Sequence, residues 1–448
     1  MTLKTLQHLH RFDGGLAYFL AAGKLKIPSL GIHIQVPWLH LPILLAWIIS
    51  MFVMSGIFAA FVAVNVMALV WLERKISGLI QNRMGPMMIN FLQPRKLATS
   101  KNPFLKWVSV WFGGWLQTMA DGVKLLLKED IIPVNADKWV FITAPICVFT
   151  ASLMGYALIP FAPHFPLIQN LNIGFLYIFA FGSYTVVGIL MAGWSSNNKY
   201  SLLGGMRSAA QLISYEIPMI LALLSVVMMT GTLKMEKIVN FQRTIGDHHG
   251  HWLILYQPLA FLIFLIAGIA ETNRTPFDMP EAESELVSGF NTEYSGFRFS
   301  LFFLSEFSNM FLSCALGATL FFGGWSGPGA SYGIIGFLWL MVKAYCLVLL
   351  FMWIRWTLPR VRIDQMMEFS WKALTPLALL NILWTGGEIL LVKANGYHHQ
   401  YLYIWIPIGL VILAMLITPK PKRKKEQQPL SINQKPTISN PPELAPVK

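Results

Sequence analysis

Apolar residues in this chain come in long runs, interrupted by short polar stretches, rather than in strict alternation. A helix needs about 20 predominantly apolar residues to cross the hydrocarbon core of a bilayer. Nine such spans are predicted, near 43–71, 139–160, 172–194, 209–231, 253–271, 299–323, 332–357, 373–392 and 401–419. A transmembrane barrel would instead need alternating segments of about 10 residues, and the sequence holds none. The expected fold is an all-α polytopic membrane protein with about nine transmembrane helices. Between the first two spans, 102–127 carries Trp107, Val110, Trp111, Trp115, Leu116, Met119, Val123, Leu126 and Leu127 at helical spacing, with Lys106, Gln117, Asp121, Lys124 and Lys128 among them. That pattern predicts an amphipathic interfacial helix in the first cytoplasmic loop, serving as an anchor or as the wall of a cavity.

The polar stretches fix an orientation. With the amino terminus outside, the inner segments hold 10, 2, 2, 4 and 7 basic residues, 25 of the chain's 34. The outer segments hold 8, and Lys343 lies within the seventh span. A missed or false span would invert every later loop, so this asymmetry supports all nine together. The carboxyl terminus is expected in the cytoplasm.

Composition agrees with a membrane protein: 448 residues, 55% hydrophobic and 12% charged, where soluble proteins carry about 25% charged residues. The net charge of +13 is spread over many inner loops and a basic tail, which argues against nucleic-acid binding. Three regions are expected: an extension over 1–42 on the outer side, a membrane domain over 43–419, and a basic tail over 420–448 without a packed core. Met1–Pro42 lacks the pattern of a signal peptide. Cys147, Cys314 and Cys346 are isolated in apolar helices, and the ten histidines all fall on the predicted outer side. Neither set has metal-ligand spacing, so no metal site is expected on this chain.

Against that background the acids stand out. Residues 271–294, from Glu271-Thr-Asn-Arg-Thr-Pro-Phe-Asp to Tyr294, hold five glutamates, one aspartate and one arginine between two spans. Glu281 and Glu285 share a helix face, and a capping turn beginning at Pro280 is the plainer reading of this run. Glu216 and Glu306 lie inside predicted spans, each eight residues beyond a predicted inner boundary at Ser208 and Arg298. That is about 12 Å below the interface. An unpaired carboxylate there costs at least about 2.5–3.5 kcal/mol on insertion scales. Equal depth makes one shared polar cavity feasible, and a pair of buried acids suits the holding of a transferable proton. Pro218 weakens the helix beside Glu216 and could let water in. Glu73, Arg74 and Lys75 mark the inner end of the first span, where charges ordinarily anchor a helix. Arg355, Arg360, Arg362 and Asp364 form a basic rim after the seventh. Three roles are open to Lys343: snorkelling, pairing with an acid, or a proton site.

Four segments carry a resemblance: Glu73–Pro86, Lys199–Glu216, Glu271–Tyr294 and Trp356–Lys372. In this order they closely resemble a family of membrane subunits of proton-translocating NADH:quinone oxidoreductase (respiratory complex I), the bacterial equivalents of mitochondrial subunit 1. The resemblance covers about 43–392, and Glu-Thr-Asn-Arg-Thr-Pro-Phe-Asp followed by Glu-x-Glu-Ser-Glu-Leu-Val-Ser-Gly-Phe is its most specific part. It implies a membrane subunit at the junction with a peripheral arm, lining a quinone tunnel and starting an acidic proton route. Carried over, Glu216, Glu271, Glu281, Glu283, Glu285 and Glu306 would be the proton-route carboxylates. Glu73, Arg74, Arg83, Asp121, Lys124 and Phe277 would bind quinone. Arg274, Arg298, Arg360 and Arg362 would meet the peripheral arm. Quinone would be the substrate, with NADH, FMN and iron–sulfur clusters held by partner subunits. The partners implied are peripheral quinone-site and iron–sulfur subunits, small membrane subunits and antiporter-like subunits, in the inner (plasma) membrane of a bacterium.

The chain departs from the family pattern in a basic insertion at Met87–Trp107, the amino-terminal forty residues, the ninth span and the tail. Two other classes compete. A stand-alone ion-coupled transporter would favour inverted repeats, and no clear internal repeat is present. The membrane subunit of a membrane-bound hydrogenase would use no quinone, and the full acidic motif favours the quinone version.

Overall fold

The computed structural model describes residues 24–27, 32–35, 43–83, 85–86, 114–163, 171–244, 252–280, 283–329 and 333–395. Among them α1 is Ile43–Ile80, α2 Leu116–Leu127, α3 Lys138–Tyr156, α4 Gly174–Ser195, α5 Lys199–Thr230 and α6 Met235–Thr244. Then follow α7 Pro258–Glu271, α8 Gly296–Phe321, α9 Gly333–Thr357, α10 Ile363–Phe369, a π-helical turn Ser370–Leu374, and α11 Thr375–Asn395. Strands β1 Lys24–Ile27 and β2 Ile32–Gln35 make one antiparallel hairpin, an addition to the expected all-α fold.

Seven helical segments of the described residues are long and apolar enough to span a membrane, and α7 is a shorter apolar helix. The first eight predicted spans fall on these eight segments; the ninth, 401–419, lies outside the described residues, as do the 87–107 insertion and the tail. This is a multi-pass helical membrane protein. Several helices outrun their predicted spans. The first was expected to end near residue 71, but α1 continues to Ile80, because nothing in Glu73–Ile80 breaks a helix. Likewise α5 begins at Lys199 rather than 209, capped by the Asn198 side chain accepting from the Tyr200 N–H at 2.9 Å. Its other end closes on Gly231, whose φ of +65° suits a residue without Cβ. Of the predicted amphipathic helix 102–127, only α2 falls among the described residues.

The helices pack in sequence around α5: α3 on α4, α4 on α5, α5 on α7 and α11, with α8 against α3 and α9. Phe141, Val148, Val186, Ile189, Leu212, Phe290, Tyr294 and Phe302 form part of the core that joins α3, α4, α5 and the α7–α8 connection. Small residues let backbones approach, as membrane helices commonly require. A Cβ on Gly204 would lie 2.6 Å from the Cα of Gly289, which locks the acidic connection onto α5.

Two helix-internal prolines have a consequence for this packing. Proline has no N–H, so the carbonyl four residues earlier loses its helical donor. Pro145 leaves the carbonyl of Phe141, and the Tyr294 hydroxyl donates to it at 3.2 Å. Pro218 leaves the carbonyl of Ser214, and the Ser370 hydroxyl donates to it at 2.6 Å. The freed carbonyl ties α5 to the π-helical turn, as a backbone group away from bulk water finds a partner.

At the far end of α8 the carbonyls are satisfied by side chains. Gln242 of α6 donates to Thr319 and Leu320 O at 3.1 Å each. Lys343 donates to Phe322 O, Gly324 O and Ser326 O at 2.8, 2.9 and 2.7 Å. The ammonium thus caps a helix end, with no acid paired to it among the described residues.

Candidate functional site

The helical extension of α1 decides where Glu73 goes. Two residues past the expected end of the span, its carboxylate meets two arginines from other elements. Arg274 Nη1 donates to Oε1 and Oε2 of Glu73 at 3.1 and 2.9 Å, and Arg355 of α9 also donates to Oε1. Arg274 Nη2 lies 2.9 Å from Glu306 Oε1 on α8. Its guanidinium also stacks over the Phe307 ring at 4.3 Å. Two carboxylates and two guanidiniums thus form one charge-balanced quartet. Its centre is Arg274, only 3% exposed, so a residue expected at a partner interface is instead an internal ion-pair hub.

The short connection that carries Arg274 is held by α5. Gln211, fully buried, donates from Nε2 to Ala270 O and Phe277 O at 2.8 Å each and to Asn273 Oδ1 at 3.2 Å. The Asn273 amide in turn lies 3.4 Å from Ser208 Oγ. From the other side Arg360 donates to Asp278 O and the Val361 N–H to Pro276 O at 3.2 Å. Phe277, expected to bind quinone, is 7% exposed and packs 5.3 Å from the Tyr215 ring. The Tyr215 hydroxyl donates to Met366 O at 2.9 Å. All four segments that carried the resemblance therefore meet here.

A second group adjoins the quartet. Glu216 of α5 accepts from the hydroxyl of Ser183 on α4. Glu271, at the end of α7, feels the charge of Glu216, and a Cβ on Gly182 would lie 3.7 Å from its Oε1. A cavity shared by Glu216 and Glu306 was feasible from their equal depth, and the structure gives the two acids different partners. Equal depth says nothing about which way around a helix a side chain points. Glu306 faces an arginine; Glu216 faces a hydroxyl and another acid.

The remaining candidates lie around the edge. Arg74 of α1 pairs with Asp121 of α2 at 2.5 Å, and Gln117 donates to Asp121 Oδ1 at 3.3 Å. Arg83 donates to Ser77 Oγ at 3.1 Å, and Lys124 lies on α2 beside this pair. Glu285, in the single turn Glu283–Leu286, accepts from Arg207 Nη1 at 2.7 Å. Glu281 and the Glu283 side chain lie outside the described residues. Arg298 pairs with Asp130 at 3.2 Å, and Arg360 and Arg362 are exposed.

Sequence reasoning passed over Ser183, the anchoring role of Gln211 and a further acid, Glu388, half-buried on α11. It also passed over a buried polar cluster at the other end of α7. There Asn381 Nδ2 donates to Ser225 Oγ at 3.0 Å and Gln257 Nε2 to Thr385 Oγ1 at 3.1 Å. The available signal was a polar residue inside an apolar run, which hydropathy averages away.

A family described as NADH dehydrogenase matches residues 53–386 of this chain. The NADH-quinone oxidoreductase H-subunit of Dehalococcoides mccartyi strain CBDB1 is 46% identical over 354 residues, covering 79% of this chain and 91% of the relative. The H-subunit from Carboxydothermus hydrogenoformans is 44% identical over 333 residues, covering 74% and 87%. That from Bacillus cytotoxicus is 46% identical over 326 residues, covering 73% and 89%.

Proposed function

This chain belongs to the NADH dehydrogenase family and is a membrane subunit of an NADH-quinone oxidoreductase, and on that footing we propose that it couples quinone reduction to proton movement. Quinone is the substrate, taking up two electrons and two protons to become quinol. Electrons arrive from a partner subunit's cluster; NADH, FMN and iron–sulfur centres belong to partners, since the cysteines and histidines here lack ligand spacing. The tunnel is lined around α1, α2 and the α7–α8 connection by Glu73, Arg74, Arg83, Asp121, Lys124 and Phe277. Charge appearing at the headgroup acts on the quartet of Glu73, Arg274, Glu306 and Arg355. Arg274 and Glu271 sit on one short connection, so a shift of the quartet alters the field on Glu271 and Glu216. Those acids pass the change toward small membrane and antiporter-like partner subunits. The exposed Arg360 and Arg362 form the rim that meets the peripheral arm. The distribution of basic residues over the loops supports a cytoplasmic rim and an outer amino terminus.

The observation that carries this reading is the meeting of four separate segments on one charged node beside an acid pair. Its test is Glu216→Gln and Glu306→Gln in the whole complex. Both are expected to lose quinone-linked proton pumping while NADH oxidation by an artificial acceptor continues. Full coupled pumping in both would overturn the route. For the tunnel, a photoreactive quinone analogue should label peptides around Glu73–Arg83, Asp121–Lys124 or Phe277; labelling confined to other peptides would reject that lining.

A further inference from the structure

The acid pair has a wall that belongs to neither α5 nor α7. Gly182 and Ser183 of α4 are adjacent in sequence and face the two carboxyls, the glycine beside Glu271 and the serine against Glu216. Ser183 has a second partner, since its Oγ lies 3.1 Å from the carbonyl of Phe179, one turn back. A hydroxyl carries one proton to donate and lone pairs to accept with. Between these two acceptors it can make one donated bond at a time.

We propose that Ser183 is a positioning residue for Glu216, its hydroxyl turning between two acceptors as the carboxyl gains and loses a proton. With Glu216 ionised, the Ser183 O–H donates to Oε1. When a proton arrives on the carboxyl, the new O–H of Glu216 donates to Ser183 Oγ, and the serine O–H turns to Phe179 O. No covalent bond of the serine breaks, and the only proton that moves is the one delivered to Glu216. In both states the carboxyl keeps a hydrogen-bond partner. That matters inside a membrane, where a group stripped of partners costs far more than in water. A lone structural acid has no need of a partner that serves both protonation states; one that cycles does. The competing explanation is a serine that merely bonds back along its own helix, a common habit of this residue. It accounts for the Phe179 contact but not for the one to Glu216. Ser183 is exposed on this chain, so its truncation removes a hydroxyl without opening the core. The other titratable group facing this site is Glu271.

This inference rests on the proton route proposed above, and the experiment separates the two. Ser183→Ala, Ser183→Thr and Glu216→Gln are made in the whole complex, with rates normalised to NADH oxidation by an artificial acceptor. Redox-induced infrared difference spectra are then recorded in the carboxyl-stretch region. A band lost in Glu216→Gln identifies the protonated Glu216 carboxyl. In Ser183→Ala that band is expected to shift and quinone-linked pumping to fall several-fold. Ser183→Thr, which keeps a hydroxyl, should restore both. An unmoved band in Ser183→Ala, or a threonine variant no better than alanine, overturns the role of Ser183 while leaving the route standing. Undiminished pumping in Glu216→Gln, or the absence of any Glu216-dependent band, overturns both.

Discussion

Around Arg274 two carboxylates face guanidiniums: Glu73 meets two and Glu306 one. Around Glu216 the neighbours are a serine hydroxyl and a second acid. The two groups adjoin through the connection that Gln211 holds, yet their chemistry differs in kind. A balanced quartet gains little by changing protonation, because each lost charge strands its partner. Two acids beside a hydroxyl lose little by it, because removing one charge relieves the other. The first is suited to holding shape and feeling a field, the second to storing and releasing a proton.

The sharpest way to break this contrast is to remove the hub. Arg274→Met would leave Glu73 and Glu306 short of compensation, and breaking a buried pair on one side costs about 3–5 kcal/mol. Little assembled complex is expected on native gels, with partial recovery when Glu306→Gln is added to restore balance. Normal assembly of the single variant would mean the quartet is not a framework. Glu271→Gln tests the other side. Assembly should be preserved while quinone-linked pumping falls by about a hundredfold, the lower range of what a positioned proton-transfer group contributes. A variant that pumps normally would remove Glu271 from the route.

Gln211→Leu asks whether the two groups depend on their common tether. Two backbone carbonyls lose their side-chain donor, at about 1–3 kcal/mol for buried groups left unsatisfied. A melting temperature lowered by a few degrees, with reduced pumping, is expected; an unchanged melting curve would show the connection is held without it. The smallest effect belongs to the edge. Arg74 and Asp121 are 43% and 35% exposed, so Asp121→Asn should change stability by no more than about 1 kcal/mol. Its quinone-linked rate should lose some of its dependence on salt, and a large loss of stability would contradict the exposed geometry.

Much of the frame was legible because hydrophobic length is a local property. Eight of the nine predicted spans correspond to helices among the described residues, and the acids at 216, 271 and 306 could be picked out as charges in an apolar setting. The partners could not. Glu73 read as a helix-end anchor because a charge normally marks the end of a span, whereas here the helix simply continues. Arg274 read as a surface contact because nothing in a sequence reveals that residues 73, 306 and 355 will surround it. Glu388, by contrast, was readable on the same grounds as Glu216 and was overlooked. Ser183 is one serine among many until α4 is laid against α5.

The π-helical turn at Ser370–Leu374 carries one surplus residue, and that residue sets the phase of everything after it. Deleting it would turn α11 by about 100°, bringing Ile382 to the place of Asn381 and Gly386 to that of Thr385. Gln257 would then lose its Thr385 partner and Ser225 its Asn381 partner. A single added residue, pinned by the carbonyl that Pro218 releases, is what aims the polar stripe of the last described helix inward.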